Sequence, residues 1–326
     1  MNRIIASPPP INPVTVQTRR PRWSVMIPVY NAANFLPQTL AAVLLQDLGA
    51  DQMQIEVVDD ASTDANIEAM VHELGGGRIS YYRQPVNVGS LRNFETCLNR
   101  SHGYLIHLLH ADDLVQAGYY QKMDTLFECF PEAAAAFCRY THIDERGNTI
   151  LHQQPEASED GILTNWLLRL GERLRIQCCT ITVKREVYEA LGGFWGVTYG
   201  EDWEMWMRIA SRYPMAYTPE TLAAYRMHFQ SISGQAYNSA QNMRDLQWVI
   251  NTTQEYLPQA ARQQVRKKAL KFYAHFALRL AHRLWNTSHN RKGALAQVRE
   301  ALRMHQDLSL YWQILKLYTK MLLNYP

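Results

Sequence analysis

The 326-residue chain predicts an α/β fold of parallel strands joined by crossover helices, with a C-terminal helical extension. Three observations carry this. From residue 23 short β-branched runs alternate with stretches of helical periodicity, the pattern of parallel strands joined by crossover helices. Beyond about residue 237 the strand signals cease and apolar residues recur three to four apart. Charge divides near the same place: residues 1–235 hold 19 Lys+Arg against 26 Asp+Glu, and 236–326 hold 14 against 4. Hydrophobic residues at 47% and charged residues at 19% exclude a mainly disordered or collagenous chain.

Taken in order, residues 1–22 carry Pro8-Pro9-Pro10, Pro13 and the basic cluster Arg19, Arg20 and Arg22, and read as a flexible arm. Strands are expected at 23–30, 55–59, 79–83, 104–109 and 134–143, with helices at 35–45, 63–74, 91–98 and near 116–130. The second half is less regular: 181–184 and 222–227 read as strands, 192–193 as a turn and 201–212 as a helix. Val265, Ala269, Phe272, Phe276, Leu280 and Leu284 mark an amphipathic helix, and 294–304 and 308–323 repeat the pattern. No apolar run reaches the roughly 18 residues that span a bilayer, and the first residues lack a secretory signal. Five cysteines without a CxxC pair suit a reducing compartment, so the expected location is the cytoplasm.

Acidic residues collect where strands end. Asp59-Asp60 and Asp112-Asp113 are two carboxylate pairs at the carboxyl ends of strands, where open α/β sheets bind ligands. Adjacent carboxylates repel unless a cation or donor is near, and hard oxygen ligands suit Mg²⁺ or Mn²⁺. Helix capping accounts for Ser62, Thr63 and Asp64 without a ligand. Gly200-Glu201-Asp202-Trp203-Glu204 opens a helix; the dipole explains Glu201, packing explains Trp203 and Trp206, and Asp202 stands as a candidate base. Pro28 ends a strand, leaving Tyr30 able to offer a flat ring to a base. His228 follows a strand in Tyr225-Arg226-Met227-His228, and Cys178-Cys179 reads as buried packing. The turn at 29–35 has no glycine fingerprint, which disfavours a dinucleotide-dependent oxidoreductase.

In this order SVMIPVYN, VVDDASTD, NVGSLRN, YLIHLLHADDL, GGFWGVTYGEDWEMWMR and YRMHFQSIS resemble the family 2 glycosyltransferases of the GT-A fold, over roughly residues 23–233. The resemblance implies a GT-A type mixed, mostly parallel sheet flanked by helices, with a nucleotide-binding half at about 23–113 and an acceptor half at about 114–235; the basic helical region at 236–326 lies outside it. It implies inverting sugar transfer from a nucleoside-diphosphate sugar, UDP-linked, to a hydroxyl of a glycan or lipid-linked acceptor, with Mn²⁺ or Mg²⁺. Pro28, Tyr30, Asp60, Arg92 and Asp113 would then hold the nucleotide, Asp112 and His228 the metal, and Asp202 would be the general base. His110 stands where the family's DxDD signature begins with Asp, so a non-catalytic nucleotide-sugar-binding or scaffolding protein is the competing expectation. For the basic tail, the alternatives are a packed helix with a solvated basic rim, and attraction to anionic lipid on the inner face of the plasma membrane or to a phosphorylated, lipid-linked acceptor; no nucleic-acid motif accompanies the charge.

Overall fold

The computed structural model describes residues 6–15, 20–228 and 230–324. In chain order the elements are β1 (Trp23–Val29), α1 (Leu36–Leu44), β2 (Met53–Asp59), α2 (Ile67–Gly75), β3 (Ser80–Arg83), α3 (Ser90–Arg100), β4 (Leu105–Leu108), β5 (Leu114–Val115) and α4 (Tyr119–Cys129). There follow β6 (Ala135–Ile143), β7 (Thr149–His152), β8 (Gly161–Ile162), α5 (Trp166–Glu172), β9 (Ile181–Lys184), α6 (Arg185–Leu191), α7 (Glu201–Ala210) and β10 (Met215–Arg226). The remainder is helical: α8 (Ile232–Ser239), α9 (Gln241–Thr252), α10 (Gln259–Ser288), α11 (Arg291–Met304) and α12 (Leu308–Leu322).

The strands form one sheet in the order β3-β2-β1-β4-β9-β6-β10-β5, with β7 on β6 and β8 on β10. Parallel ladders carry the long registers, Trp23–Val29 on Met53–Asp59 and Met215–Arg226 on Ala135–Ile143, while β9 joins the two halves antiparallel to β4 and β6. Every residue of β1 is buried, which explains its unbroken apolar run: a central strand covered on both faces has no polar side to show. The Pro28 position behaves differently from expectation. Pairing of β1 with β4 stops at Met26, but pairing with β2 runs on through Val29.

Two sequence-based expectations are corrected here. Helix α2 starts at Ile67, capped by the Asn66 side chain, which accepts from Ala69 N at 3.0 Å. Ser62, Thr63 and Asp64 instead fasten the turn after β1: Ser62 Oγ accepts from Asn31 N, Thr63 N donates to Asn31 Oδ1 and Asp64 Oδ2 accepts from Ala33 N. The same side chains that suit a cap serve a tertiary partner when a neighbouring loop brings donors to them. The second correction concerns the arm. Residues 1–5 and 16–19 lie outside the described residues, but 9–12 are anchored: Pro9 and Ile11 are buried, Gly193 N donates to Pro9 O, and Arg185 Nη2 to Asn12 O. A proline-rich segment has little backbone freedom to lose, so one apolar anchor holds it. Gly192, at φ +81°, leaves no room for a side chain, since a Cβ there would stand 2.8 Å from Pro9 O.

Compactness divides the chain along different lines from charge. One unit comprises residues 1–164, 176–196 and 212–227 and contains the whole sheet; the other comprises 165–175, 197–211 and 228–326. Helices α5 and α7 therefore group with the C-terminal helices, because their apolar faces meet them: Trp203 Nε1 donates to Leu170 O at 2.8 Å and its ring lies 5.2 Å from Tyr273. Trp203 and Trp206 are buried, as packing predicts. Much of the basic rim of α10 is engaged within this unit, with Lys268 on Glu172 at 2.7 Å, Lys271 on Asp307 at 3.1 Å and Arg262 Nε on Leu257 O.

If the N-terminal segment is part of the fold, Ile11→Ala lowers unfolding free energy by about 2 kcal/mol, the low end for a buried aliphatic truncation. Denaturant melts of the two proteins measure this; superimposable curves would mean that the segment contributes nothing.

Candidate active site

Strand β4 ends at Leu108, and residues 109–113 turn across the top of the sheet. Two groups fix that turn. Thr39 Oγ1, from α1, lies 2.8 Å from both Ala111 O and Asp113 O. Arg226, at the end of β10, is 1% exposed and donates from Nε to Asp112 O, from Nη1 to Asp144 O and Glu145 O, and from Nη2 to Gln38 Oε1. Its guanidinium lies 5.1 Å over Phe35, and its backbone N–H donates to Asp113 Oδ1 at 2.9 Å. A buried arginine with these donors satisfied is a rigid clamp.

The clamped turn brings His110, Asp112 and Asp113 together, with one ligand atom from each lying within 4.8 Å of the others. His110 stacks on Phe94 at 5.2 Å, and burial lowers its pKa, keeping the ring neutral and a nitrogen lone pair available. Burial, followed by the charge of Asp112, pushes the carboxyl of Asp113 well above the usual range. His110 Nε2 and Asp113 Oδ2 are buried without a hydrogen-bond partner, and unsatisfied polar atoms of this kind call for one. One imidazole and two carboxylates fit a divalent cation, which would relieve both the orphaned atoms and the like-charge repulsion. Asp113 is 1% exposed, so its carboxylate faces inward. Cys178 and Cys179 are buried and unbridged, and the Cys179 thiol faces Asp113.

A second set of loops lies at the ends of β1 and β2. Asp60 N donates to Val29 O, and the Asp60 carboxylate accepts from Asn87 Nδ2, Val88 N and Gly89 N at 2.7–3.0 Å. Asp60 thus holds the turn entering α3. Asp59, fully buried, accepts from Ser62 N and Tyr81 OH and pairs with Arg83. The neighbouring acids are therefore separated by having different donors. Tyr30, next to the left-handed Asn31 (φ 51°), is 52% exposed, and Pro28 is buried within β1. Arg92 pairs with Glu95 at 2.7 Å and lines a cleft of about 480 Å³ with Tyr82, Gln84 and Val88.

The remaining candidates lie in the second unit. Gly200, at φ +88°, turns the chain into α7, so Glu201 and Asp202 sit in its first turn. Burial pushes Asp202 up to about 7 and, with help from the Asp202 charge, Glu201 up to about 8. Asp202 Oδ1 accepts from Trp203 N at 2.7 Å. Glu204 is committed elsewhere, to Arg208 at 2.9 Å and to the Tyr256 hydroxyl at 2.6 Å. His228 is half-buried, with its carbonyl accepting from Ser231 Oγ.

Residues 24–192 match the family described as "Glycosyl transferase family 2". The chain belongs to that family. The matched stretch of this glycosyltransferase holds the whole of the His110, Asp112, Asp113 turn and ends before Asp202 and His228. It is 25% identical over 217 residues to an uncharacterized glycosyltransferase of Rickettsia conorii, covering 66% of this chain but only 35% of that longer protein. It is also 25% identical over 228 residues to the putative teichuronic acid biosynthesis glycosyltransferase TuaG of Bacillus subtilis, covering 68% of this chain and 85% of the relative. Among solved structures, it resembles Staphylococcus aureus TarS 1–349 in complex with UDP-GlcNAc, with a TM-score of 0.62 at 13% identity over 88% of this chain and 93% of that one. Mannosyltransferase PcManGT from Pyrobaculum calidifontis, in complex with GDP-Man and Mn²⁺, gives a TM-score of 0.55 at 19% identity over 92% and 89%. These structural likenesses support the GT-A type of sheet.

Sequence reasoning missed Arg226, Thr39 and Asn87. Arg226 left one signal, an arginine closing an apolar strand two residues before a candidate ligand, but nothing local reveals that its partners lie more than 80 residues away. Arg226→Ala is expected to cost about 3 kcal/mol of stability by leaving several buried carbonyls without donors. Arg226→Lys restores only part of it, because one ammonium cannot span the same acceptors. Thermal melts of both variants check this, and an unshifted melt for Arg226→Ala would refute the clamp.

Proposed function

We propose that this glycosyltransferase moves a sugar from a nucleoside-diphosphate sugar, UDP-linked, to a hydroxyl of a glycan or lipid-linked acceptor, with inversion at the anomeric carbon. The observation that carries the reading is the His110, Asp112 and Asp113 cluster, three cation-ligand side chains on one clamped turn inside the family-matched region. The UDP-GlcNAc and GDP-Man complexes of the two structural neighbours support a nucleotide-sugar donor, and the name of the Bacillus subtilis relative supports a cell-envelope polysaccharide as acceptor. No helix among the described residues is long and apolar enough to cross a membrane, and the unbridged cysteines favour a cytoplasmic reaction.

Asp112, Asp113 and the neutral His110 would hold Mn²⁺ or Mg²⁺. Bound there, the cation supplies Lewis-acid neutralisation of the charge that builds on a departing diphosphate. The buried Asp113 carboxylate suits this role better than contact with a ribose. Tyr30 offers its exposed ring to the base beside Pro28, Asp60 acts through the Asn87–Gly89 turn it orders, and Arg92 lies beyond that turn on α3. Asp202 accepts the proton of the attacking acceptor hydroxyl. A carboxyl pushed up to about 7 is well matched to that task, since a base works best when its pKa lies near the working pH.

Asp202→Asn is expected to lower transfer by about 10²–10⁴-fold while leaving nucleotide affinity within about twofold. Unaltered turnover would remove Asp202 from the reaction. Because the base must be deprotonated, wild-type transfer at saturating donor should rise with pH and level off above about 7. A flat profile from pH 5.5 to 8 would contradict the assignment. Calorimetric titration with Mn²⁺ should show binding that Asp112→Asn abolishes and His110→Asp strengthens, since the latter replaces a neutral ligand with a charged one. Equal affinities in all three proteins would place the cation elsewhere.

A further inference from the structure

Helix α12 has two apolar faces. Leu310, Ile314 and Leu317 are buried, and the helix is tied down by Asp307, whose side chain caps Leu310 N at 2.8 Å, and by Gln313, which meets His275 and His282 of α10. The opposite face carries Leu308, Tyr311, Trp312, Leu315, Tyr318 and Leu322, spaced three to four residues apart. Their exposures run from 44% at Tyr318 to 89% at Leu308. A continuous exposed stripe of this kind on a well-formed helix marks an interaction surface. We propose that the stripe docks on an anionic lipid surface, with α12 lying in the plane of the headgroups.

The composition of the stripe favours lipid over protein. Its aromatic residues are two tyrosines and a tryptophan, the side chains that settle at headgroup depth with an apolar body and a polar tip. Its only charged flanks are Lys316, whose ammonium lies 5.3 Å over the Trp312 ring, and Lys320; no acid occurs from 308 to 324. The region around it, residues 236–326, carries 14 Lys+Arg against 4 Asp+Glu, a charge complementary to anionic headgroups. In a twofold dimer built on the stripe, the same lysines would be brought toward like charges, in a setting where lysine is ordinarily depleted. The basic rim of α10 is a weaker anchor because many of its cations are already paired within the unit. The proposal does not depend on the identity of the transferred sugar or on turnover.

The test uses the full chain and sedimentation with vesicles of phosphatidylcholine containing 30% phosphatidylglycerol. The wild type should pellet with these vesicles, more weakly in 0.5 M NaCl and far more weakly with phosphatidylcholine alone. Trp312→Glu combined with Leu315→Glu, both at exposed positions, should lower partitioning at least about tenfold with an unchanged thermal melt. Lys316→Gln and Lys320→Gln, which leave the apolar stripe intact, should each lower it about fivefold. Wild-type protein that stays in the supernatant with anionic vesicles, or stripe variants that bind as well as wild type, would overturn the proposal. So would a concentration-dependent dimer, seen by sedimentation velocity, that the glutamate variants dissolve while vesicles bind nothing; the stripe would then be covered by a second copy.

Discussion

Two adjacent carboxylates and a histidine can be held in one turn only if something else satisfies the backbone around them, and Arg226 does this. Its side chain and its own N–H reach the carbonyl of Asp112 and the carboxylate of Asp113 while the rest of the guanidinium is used up on Asp144, Glu145 and Gln38. The last residue of one strand therefore fixes the shape of a turn that follows another. With the backbone so occupied, the polar atoms left over are side-chain atoms, His110 Nε2 and Asp113 Oδ2. This is the opposite of a solvated acidic turn, in which carboxylates face water and cost nothing.

The same economy recurs at the other acidic pair. Asp59 and Asp60 are neighbours in sequence, yet one is spent on the start of the next connection and on Tyr81 and Arg83, the other on the turn into α3. Neither is a bare charge. Each orders the loop that its own oxygens hold. His110 departs from the acidic residue that the family signature carries at its position. The departure removes a charge but leaves a neutral nitrogen within 4.8 Å of the carboxylate oxygens of Asp112 and Asp113.

Family membership and structural geometry speak to different residues. The family match spans the sheet up to the end of α6 and includes the His110, Asp112 and Asp113 turn. Asp202 rests on another kind of observation, a buried first-turn carboxyl whose pKa is raised to about 7, on a helix that groups with the C-terminal bundle. The N-terminal segment shows how composition misleads: a proline run without periodicity still packs when one isoleucine and a few backbone carbonyls find partners.

Much was legible in the chain itself. The buried run of β1, the strands at 55–59 and 134–143 and the apolar stripes of α10 and α11 follow from periodicity, and the two acid pairs mark the strand ends by type and place alone. Short or irregular pieces were not legible: β5, β7 and β8 are held by cross-strand partners, and α8 buries only Gly234; α9 does carry a stripe, Met243, Leu246, Val249 and Ile250, that the sequence reading passed over. The cap at Asn66, the clamp by Arg226 and the burial that raises Asp113 were equally hidden. Local sequence sets which backbone a segment prefers and which chemistry it can offer. Which donor meets which acceptor, and which carboxyl loses its water, is decided by contacts between residues far apart in the chain, and only the folded arrangement contains them.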